Sequence, residues 1–239
     1  MNRATLVHGF AQTGRCWGDV PAVFESCGFD VASLDAPGHG ANSSLSLDLL
    51  QTGEWLATEG GQGTYIGYSM GARMCLHTAL LRPDVVDRLI LISGTGGIED
   101  PVERAARRAS DDALALRIES TSIESFVDEW LSGPLFEHLA PNAQMRTERL
   151  RNTPAGLAQS LRNAGTGMQE PMWSALRRMQ MPVLVLAGEL DPKFAALGER
   201  LATCIGTNAT LHVVPQAGHT VHLEAPDAVA TLLRDWLSA

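Results

Sequence analysis

The chain has 239 residues, which suits one large domain or one domain with an insertion; 45% of the residues are hydrophobic and 19% are charged. This composition is typical of a folded globular protein and excludes a disordered chain. The formal net charge of −9 excludes non-specific nucleic-acid binding, which needs a basic surface. No apolar run approaches the roughly 20 residues that span a bilayer, and no signal-peptide pattern is present, so we expect a cytoplasmic protein without a membrane span.

The first half of the chain alternates short apolar strands with amphipathic helices. We predict strands at residues 4–7, 29–35, 64–66 and 87–93, and helices at residues 14–27, 46–57 and 72–81. Strands that alternate with helices pair in parallel and carry the helices on both faces of the sheet. This part of the chain therefore predicts an α/β fold with a mostly parallel sheet.

The strand pattern stops between residues 98 and 179. Four helices are predicted there, at 103–118, 122–130, 142–150 and 155–164, with prolines between them. Strands return at 182–188 and 210–215, followed by a last helix at 226–236. We predict a core of residues 1–97 and 180–239, with a sheet of about six strands, and a helical cap inserted at residues 98–179.

The four cysteines form no Cys-x-x-Cys pair and lie in apolar segments, which predicts reduced core residues (Cys16, Cys27, Cys75, Cys204). The seven histidines are scattered, so no metal-ligand cluster is predicted. Almost all basic residues are arginines, since Lys193 is the only lysine. Codon bias in a high-GC genome explains most of this excess of arginine over lysine. Arginine also suits bidentate recognition of carboxylates, so individual arginines are candidates for that role.

The turn between the third predicted strand and its helix is Gly67-Tyr68-Ser69-Met70-Gly71. A serine on a tight strand-to-helix turn projects its Oγ above the end of the sheet, and its neighbours two positions away must lack bulk. The following helix N-terminus favours negative charge at this point. Short motifs of this kind recur by chance, so a catalytic role for Ser69 also requires a base, an acid and an oxyanion hole.

Two later strand ends carry a suitable acid and base. Asp191 and His219 each follow a predicted strand, and ligands of parallel α/β sheets bind beyond the carboxyl ends of the strands. The chain order Ser, Asp, His is that of an α/β-hydrolase, so we predict a catalytic triad of Ser69, Asp191 and His219. Glu189 is a competing acid but lies closer to the strand end, and His222 is a competing base at a probable helix start.

The oxyanion hole needs two backbone N–H groups. Met70, the residue after the serine, offers one of them. The loop after the first strand, His8-Gly9-Phe10, offers the other, and Phe10 is the candidate. An aromatic residue at this position also suits core packing, and both roles are compatible because the oxyanion contact uses only the backbone.

On these residues the whole chain resembles the α/β-hydrolase superfamily. Within it, several stretches resemble the 2-succinyl-6-hydroxy-2,4-cyclohexadiene-1-carboxylate (SHCHC) synthase family of menaquinone biosynthesis. The matching stretches are 67–73, 103–107 with Asp111, 126–130 with 134–136, 149–152, 165–169 and 188–194. The first and last are partly shared with hydrolases in general, whereas the cap stretches are more specific because caps vary widely.

The resemblance implies an α/β-hydrolase fold and a lyase that eliminates pyruvate from 2-succinyl-5-enolpyruvyl-6-hydroxy-3-cyclohexene-1-carboxylate, with the triad as base and no metal or organic cofactor. The family binds its polycarboxylate substrate with arginines and aromatic residues, and the matching positions are Tyr68, Arg73, Arg107, Trp130 and Arg151. Converging guanidinium groups would attract such a small anionic substrate. The other cap arginines are expected to solvate helix faces (Arg104, Arg108, Arg117, Arg146, Arg149). We expect a monomer or a homodimer.

Two features depart from the family pattern. Ala72 stands where the family often has glycine, and the sequence starts at the first parallel strand, without the antiparallel hairpin of many relatives.

Two alternative functions stay open. The same triad also serves a serine hydrolase, such as a carboxylesterase or a carbon–carbon bond hydrolase. A non-enzymatic binding module on this fold is the second alternative, against which an intact triad argues.

Overall fold

The computed structural model describes residues 2–238, and the statements below refer to them. One sheet contains six strands: β1 (Asn2–Val7), β2 (Phe29–Leu34), β3 (Gly63–Tyr68), β4 (Val86–Ile92), β5 (Val183–Gly188) and β6 (Ala209–Val214). The strand order is β2-β1-β3-β4-β5-β6, and each neighbouring pair is parallel. The predicted α/β architecture with about six strands is confirmed, and the sheet is parallel throughout the described residues.

The helices fall into three groups along the chain. Between the first four strands lie α1 (Val20–Ser26), α2 (Leu49–Gly60) and α3 (Met70–Leu81). Between β4 and β5 lie α4 (Pro101–Glu119), α5 (Ile123–Leu131), α6 (Arg146–Arg149), α7 (Pro154–Ala164) and α8 (Trp173–Leu176). The last group is α9 (Pro192–Ile205), α10 (Val221–Glu224) and α11 (Pro226–Ser238). Short 3₁₀ turns cover Gly40–Asn42, Pro134–Phe136, Pro141–Ala143 and Thr166–Met168.

The central strands place alternate side chains in two apolar layers. On β4, Leu89 and Leu91 pack in the layer that contains residues of α2, α3 and α9, whereas Ile90 and Ile92 pack in the layer that contains residues of α1 and α11. Strands β3 and β5 are buried along their whole length, while the edge strands β2 and β6 are partly exposed. Burial on both faces explains why the central strands are continuous apolar runs.

Two predicted helices differ most from the structure in their bounds. The helix predicted at 14–27 begins only at Val20, because Gly18 has a φ of 54°, in the left-handed region that a right-handed helix excludes. The helix predicted at 142–150 is a 3₁₀ turn followed by the four-residue α6, because Met145 has a φ of 53°. In both places a single left-handed residue overrides the apolar periodicity.

The segment between β4 and β5 forms helices and turns, without a strand among the described residues. Its apolar side chains make a third cluster, which includes Phe126 and Leu157. Ala11, from the loop after β1, and Leu223, from α10, belong to the same cluster. The helical segment therefore packs onto loops at the carboxyl ends of the strands. Within residues 2–238, no helix is both long and apolar enough to cross a membrane.

Candidate active site

Ser69 lies on a sharp turn between β3 and α3, with a φ of 52° and a ψ of −104°. The flanking glycines permit this turn. A Cβ atom at Gly71 would overlap the carbonyl oxygen of Val7, and one at Gly67 would overlap the carbonyl of Gly71. The absence of bulk on both sides thus lets the turn approach β1 closely and holds Ser69 at the carboxyl end of the sheet.

The structure brings the three predicted triad residues together. His219 Nδ1 lies 2.7 Å from Asp191 Oδ2, and His219 Nε2 lies 3.1 Å from Ser69 Oγ. Because an ionised carboxylate only accepts hydrogen bonds, Nδ1 carries the hydrogen, and Nε2 is free to accept from the serine hydroxyl. The three side chains form the chain of hydrogen bonds that a serine needs in order to exchange its proton with a histidine.

The loop that carries His219 is held by further hydrogen bonds. Ser93 Oγ donates to the carbonyl of His219 at 2.7 Å. The Glu224 carboxylate accepts from the backbone N–H groups of Gly218, at 2.5 Å, and Thr220, at 2.7 Å. With His219 only 3% exposed, its imidazole has a fixed orientation toward Ser69.

The competing acid and base lie elsewhere. Glu189 is exposed and accepts a hydrogen bond from the backbone N–H of Gln216 at 3.0 Å. His222 is buried against the rings of Trp17 and Tyr68, with centroid distances of 5.0 and 4.7 Å. Burial lowers the pKa of His222 to about 3, so this imidazole is neutral.

Among residues 9–12, in the loop after β1, one backbone N–H lacks an acceptor. The N–H groups of Gly9, Ala11 and Gln12 donate, respectively, to Gln12 Oε1 at 3.0 Å, to His39 Nε2 at 3.2 Å and to the Gly9 carbonyl at 3.2 Å. No acceptor for the N–H of Phe10 is found in the described part of the chain, nor for that of Met70, the first residue of α3. Both residues line the same cavity as Ser69, so both N–H groups suit the predicted oxyanion role.

The cavity beside Ser69 has a volume of about 650 Å³ and is closed on one side by the helical segment. Its apolar lining includes Phe10, Leu114, Leu135, Leu161 and Leu197. Its charged lining is mixed, with basic Arg73, Arg107, Lys193 and Arg200 and acidic Glu99, Asp100, Glu103 and Asp111. The site is therefore not uniformly positive. An arginine of the cavity attracts an anionic ligand strongly only where no protein carboxylate already pairs with it.

Arg73 is a buried cation with neutral partners. Its guanidinium donates to the Ala164 carbonyl at 2.9 Å and to Gln169 Oε1 at 3.3 Å. Among residues 2–238, no carboxylate oxygen lies within 4.0 Å of it. Burial, and in second place the charge of Arg107, lowers the pKa of Arg73 to about 10. It is still charged at neutral pH, so Arg73 offers an anion a cation that no protein carboxylate contacts directly, although Asp111 lies near enough to raise its pKa slightly.

Arg107 and Trp130 also line the cavity, as the sequence predicted. Arg107 Nε donates to Asp111 Oδ1 at 2.8 Å, so this cation is shared with a carboxylate. Trp130 packs edge to face on Phe10, with ring centroids 5.5 Å apart. The indole N–H of Trp130 is buried and finds no acceptor within the described residues, which leaves it available to a ligand.

Two predicted binding residues lie outside the cavity lining. Tyr68 is buried behind the triad, where its hydroxyl pairs with Thr220 Oγ1 at 3.0 Å, because strand alternation places it with Ile66 on the α1 and α11 side of the sheet. The Arg151 side chain is 54% exposed, and its Nε lies 3.7 Å from Glu148 Oε2. The structure thus brings Arg73, Arg107 and Trp130 to the cavity and does not bring Tyr68 or Arg151 there.

Comparison with known proteins identifies the fold family. The model of the alpha/beta hydrolase family matches residues 6–232. The chain belongs to the alpha/beta hydrolase family. It is 37% identical over 179 residues to a Bacillus subtilis protein named putative SHCHC synthase, a match that covers 73% of this chain and 65% of the other, slightly less than two thirds. It is 30% identical over 236 residues to the SHCHC synthase of an Enterobacter species, covering 95% and 88% of the two chains.

A solved structure agrees with these relatives. MenH from S. aureus superposes with a TM-score of 0.90 at 30% identity, over 99% of this chain and 93% of that chain. The chain is thus an enzyme of the alpha/beta hydrolase family that resembles SHCHC synthases along most of its length. The predicted resemblance is confirmed.

Several site residues of this alpha/beta hydrolase had no clear sequence signal. Thr95 and Ser160 line the cavity but belong to a loop and a helix without a motif. Gln169 is fully buried and supports Arg73, although it lies 96 positions away in sequence. Lys193, in contrast, lies two residues after Asp191, and this closeness to the predicted triad acid is a signal that the sequence contains.

Arg149 corrects one expectation. The sequence predicts that Arg149 solvates a helix face, yet its side chain is 0% exposed. Its Nε donates to the Gln144 carbonyl at 2.8 Å and its Nη1 to the Ala11 carbonyl at 3.2 Å. The short α6 turns this side chain inward, toward the loop that carries Phe10. No group of three or more histidine, cysteine, aspartate or glutamate side chains with the arrangement of a metal site occurs within residues 2–238.

Proposed function

We propose that this chain is an SHCHC synthase, which converts 2-succinyl-5-enolpyruvyl-6-hydroxy-3-cyclohexene-1-carboxylate to SHCHC and pyruvate in menaquinone biosynthesis. The observation that carries the proposal is the position of Arg73. A buried guanidinium without a carboxylate partner lines the same cavity as a hydrogen-bonded Ser69–His219–Asp191 chain. A pocket for neutral esters would have no use for such a cation, whereas a polycarboxylate substrate would. The names of the relatives give SHCHC, the proposed product, as the compound that they synthesise.

In the proposed reaction Ser69 acts as a base. Its hydroxyl proton is shared with His219 Nε2, so Ser69 Oγ removes a ring proton from the substrate as its own proton passes to the imidazole. Asp191 stabilises the imidazolium that forms. The electrons of the broken C–H bond move toward the succinyl carbonyl, whose oxygen becomes negative. The N–H groups of Phe10 and Met70 stabilise this oxyanion.

Elimination then completes the reaction. As the carbonyl re-forms, the electrons make a ring double bond at the deprotonated carbon, the existing ring double bond shifts by one position, and the bond between the ring and the enolpyruvyl oxygen breaks. The departing enolpyruvate takes the proton from His219 and becomes pyruvate, which restores neutral His219; Ser69 already carries the proton that it removed from the ring. The triad provides each of these proton transfers.

We assign the substrate contacts to Arg73 on α3 and to the part of the cavity formed by the helical cap, residues 98–179. Arg73 binds one carboxylate of the substrate. Arg107 binds a second substrate carboxylate, either in addition to Asp111 or in place of it. The buried indole N–H of Trp130 donates to a substrate oxygen. Tyr68 and Arg151 receive no direct contact in this proposal, because neither lines the cavity.

The proposal is tested by supplying the enolpyruvyl substrate and measuring pyruvate with lactate dehydrogenase. We expect one pyruvate for each SHCHC formed, and loss of both in Ser69→Ala. Turnover of the enolpyruvyl substrate that is no faster with the enzyme than in buffer would refute the assignment.

A serine hydrolase is the second candidate. The left-handed φ of 52° at Ser69 and the apolar side of the cavity suit a nucleophile that forms a covalent acyl intermediate. Rapid turnover of p-nitrophenyl acetate, with a burst and without pyruvate release from the enolpyruvyl substrate, would favour this candidate. The same two assays therefore separate the functions.

We also propose a cytoplasmic enzyme that is a monomer or a homodimer. The four cysteines are free thiols, which suits a reducing compartment. Cell fractionation and light scattering of the purified chain measure the two properties.

A further inference from the structure

We propose that Arg149 and Asn152, both in the helical cap, are positioning residues for the oxyanion loop, residues 8–12. Through two backbone carbonyls they set the conformation that presents the free N–H of Phe10 to the reacting oxygen. This inference rests on the proposed oxyanion role of Phe10 and adds residues that touch neither substrate nor triad.

The oxyanion loop has a strained conformation that its own sequence does not enforce. Ala11 has a φ of 56°, in a region that non-glycine residues rarely occupy. Inside the sheet-bearing core, His8, His39 and Gln12 fix only part of the loop. His39 Nδ1 lies 3.1 Å from the carbonyl of Pro37, so it carries the hydrogen and Nε2 accepts from the Ala11 N–H. The carbonyls of Ala11 and Gln12 point the other way, toward the cap.

Cap residues satisfy both of these carbonyls. Arg149 Nη1 donates to the Ala11 carbonyl at 3.2 Å, and Asn152 Nδ2 donates to the Gln12 carbonyl at 3.2 Å. The two cap residues are also joined to each other, since Asn152 Nδ2 lies 2.9 Å from the Arg149 carbonyl. Asn152 Oδ1 accepts from the N–H of Gly40 at 3.0 Å, which links the loop after β2 to the same network.

Burial makes this network rigid. Arg149 is 0% exposed and Asn152 is 3% exposed. The Arg149 guanidinium lies 5.4 Å from the centre of the Phe136 ring, between the cap and the loop. A buried carbonyl that loses its donor costs about 1 to 3 kcal/mol, which is enough to shift a loop already held in an unfavourable φ region. The cap thereby controls the geometry of a backbone group in the catalytic core.

The test uses a fluorophosphonate, which phosphonylates an activated serine and places its phosphoryl oxygen in the oxyanion hole, so it does not depend on the natural substrate. Arg149→Met and Asn152→Asp remove the two donors. The matched controls are Arg146→Met, on the same short helix but paired with Asp128 at the surface, and Asn163→Asp, which bonds Ser46 at the surface. Saturation kinetics separate the maximal inactivation rate from the reagent's apparent dissociation constant.

We expect the maximal inactivation rate to fall about 10- to 100-fold in Arg149→Met and Asn152→Asp, with the dissociation constant unchanged, because a displaced donor weakens only the transition state. Both controls should stay within about twofold of the wild type. Deuterium uptake by the peptide that contains residues 8–13 should rise in the two test variants alone. Arg149→Lys, which keeps a buried donor, should recover part of the rate.

Three results would overturn the inference. The first is an inactivation rate in folded Asn152→Asp or folded Arg149→Met equal to that of the controls. The second is a change confined to the dissociation constant, which would make these residues part of the binding surface. The third is a wild-type Ser69 that the reagent does not modify, which would remove the oxyanion role itself. Normal phosphonylation without pyruvate release would instead refute only the substrate assignment and leave this inference standing.

Discussion

Arg73→Met tests the feature on which the substrate assignment depends. Methionine has a similar length and no charge, so the substitution removes the buried guanidinium while filling most of its volume. Two effects on stability oppose each other. The lowered pKa of Arg73, about 10, means that the fold disfavours its charged form by roughly 3 kcal/mol, since one pKa unit corresponds to about 1.4 kcal/mol. This cost is present at every pH below about 10, and Met removes it.

The opposing effect comes from the acceptors that Arg73 leaves behind. The Ala164 carbonyl and Gln169 Oε1 lose their donor, at a cost of about 1 to 3 kcal/mol for each buried group that stays unpaired. The two effects are of similar size, so the free energy of unfolding should change little. A net change of about 1 kcal/mol would move the melting temperature by about 2 to 4 °C in a chain of this size.

Activity should change much more than stability. A charge-assisted hydrogen bond to a substrate carboxylate contributes about 1.5 to 3 kcal/mol, so its loss should reduce kcat/KM by about 10- to 100-fold, mainly through KM. Pyruvate release gives kcat and KM, and thermal melts followed by circular dichroism give stability. Arg82→Met, at the exposed end of α3, is the matched control, because Arg82 pairs only with surface carboxylates. A kcat/KM for Arg73→Met within threefold of the control would refute the anion-binding role.

Three further predictions concern the triad, the cap and the buried histidines. Ser69→Ala and His219→Ala should each lower kcat at least about 10³-fold with little change in the melting temperature; normal turnover in either would exclude the triad mechanism. Arg107→Ala should raise KM about 10-fold, whereas Arg151→Ala should not, because only Arg107 lines the cavity; equal KM values in steady-state assays would contradict this. The pKa of His222 is about 3 in the folded protein and about 6.5 in the unfolded chain. Between these two pH values the unfolded chain therefore binds more protons than the folded protein, so the free energy of unfolding falls as the pH drops below about 6.5. His222→Phe should flatten this slope in urea unfolding at pH 7, 6 and 5, by up to about 1.4 kcal/mol per pH unit, and an unchanged slope would show that other groups cause it.

The catalytic core was predictable because its information is local. Each triad residue follows a strand, and the carboxyl ends of parallel strands meet at one edge of a sheet. The position of Arg73 follows from helix geometry, four residues after Ser69 and therefore one turn along α3. Strand alternation places Tyr68 on the same face of the sheet as Ile66, behind the triad, whereas the family resemblance implies a substrate contact for Tyr68.

The sequence predicted the helices of the cap but not which of their side chains are buried. Arg149 and Arg151 are two positions apart, yet the first is fully buried and the second has a half-exposed side chain. The helical pattern predicted at 142–150 is interrupted at Met145, and α6 has only four residues, too few for a periodic face to show which side is inward. Tertiary packing against the oxyanion loop decides this orientation.

By itself, the sequence determined the order of the strands and of the longer helices other than α9, the serine turn, and the acid and base that meet it, because all of these follow from backbone geometry within a few residues. The tertiary structure decided which cap side chains face the cavity. It left Arg73 without a carboxylate partner, paired Arg107 with Asp111, and tied Arg149 to the loop of Phe10. The Arg107–Asp111 pair is local, since the two residues are four positions apart on α4. The contacts of Arg73 and Arg149 join residues from distant parts of the chain, so they depend on how the cap docks rather than on any local pattern.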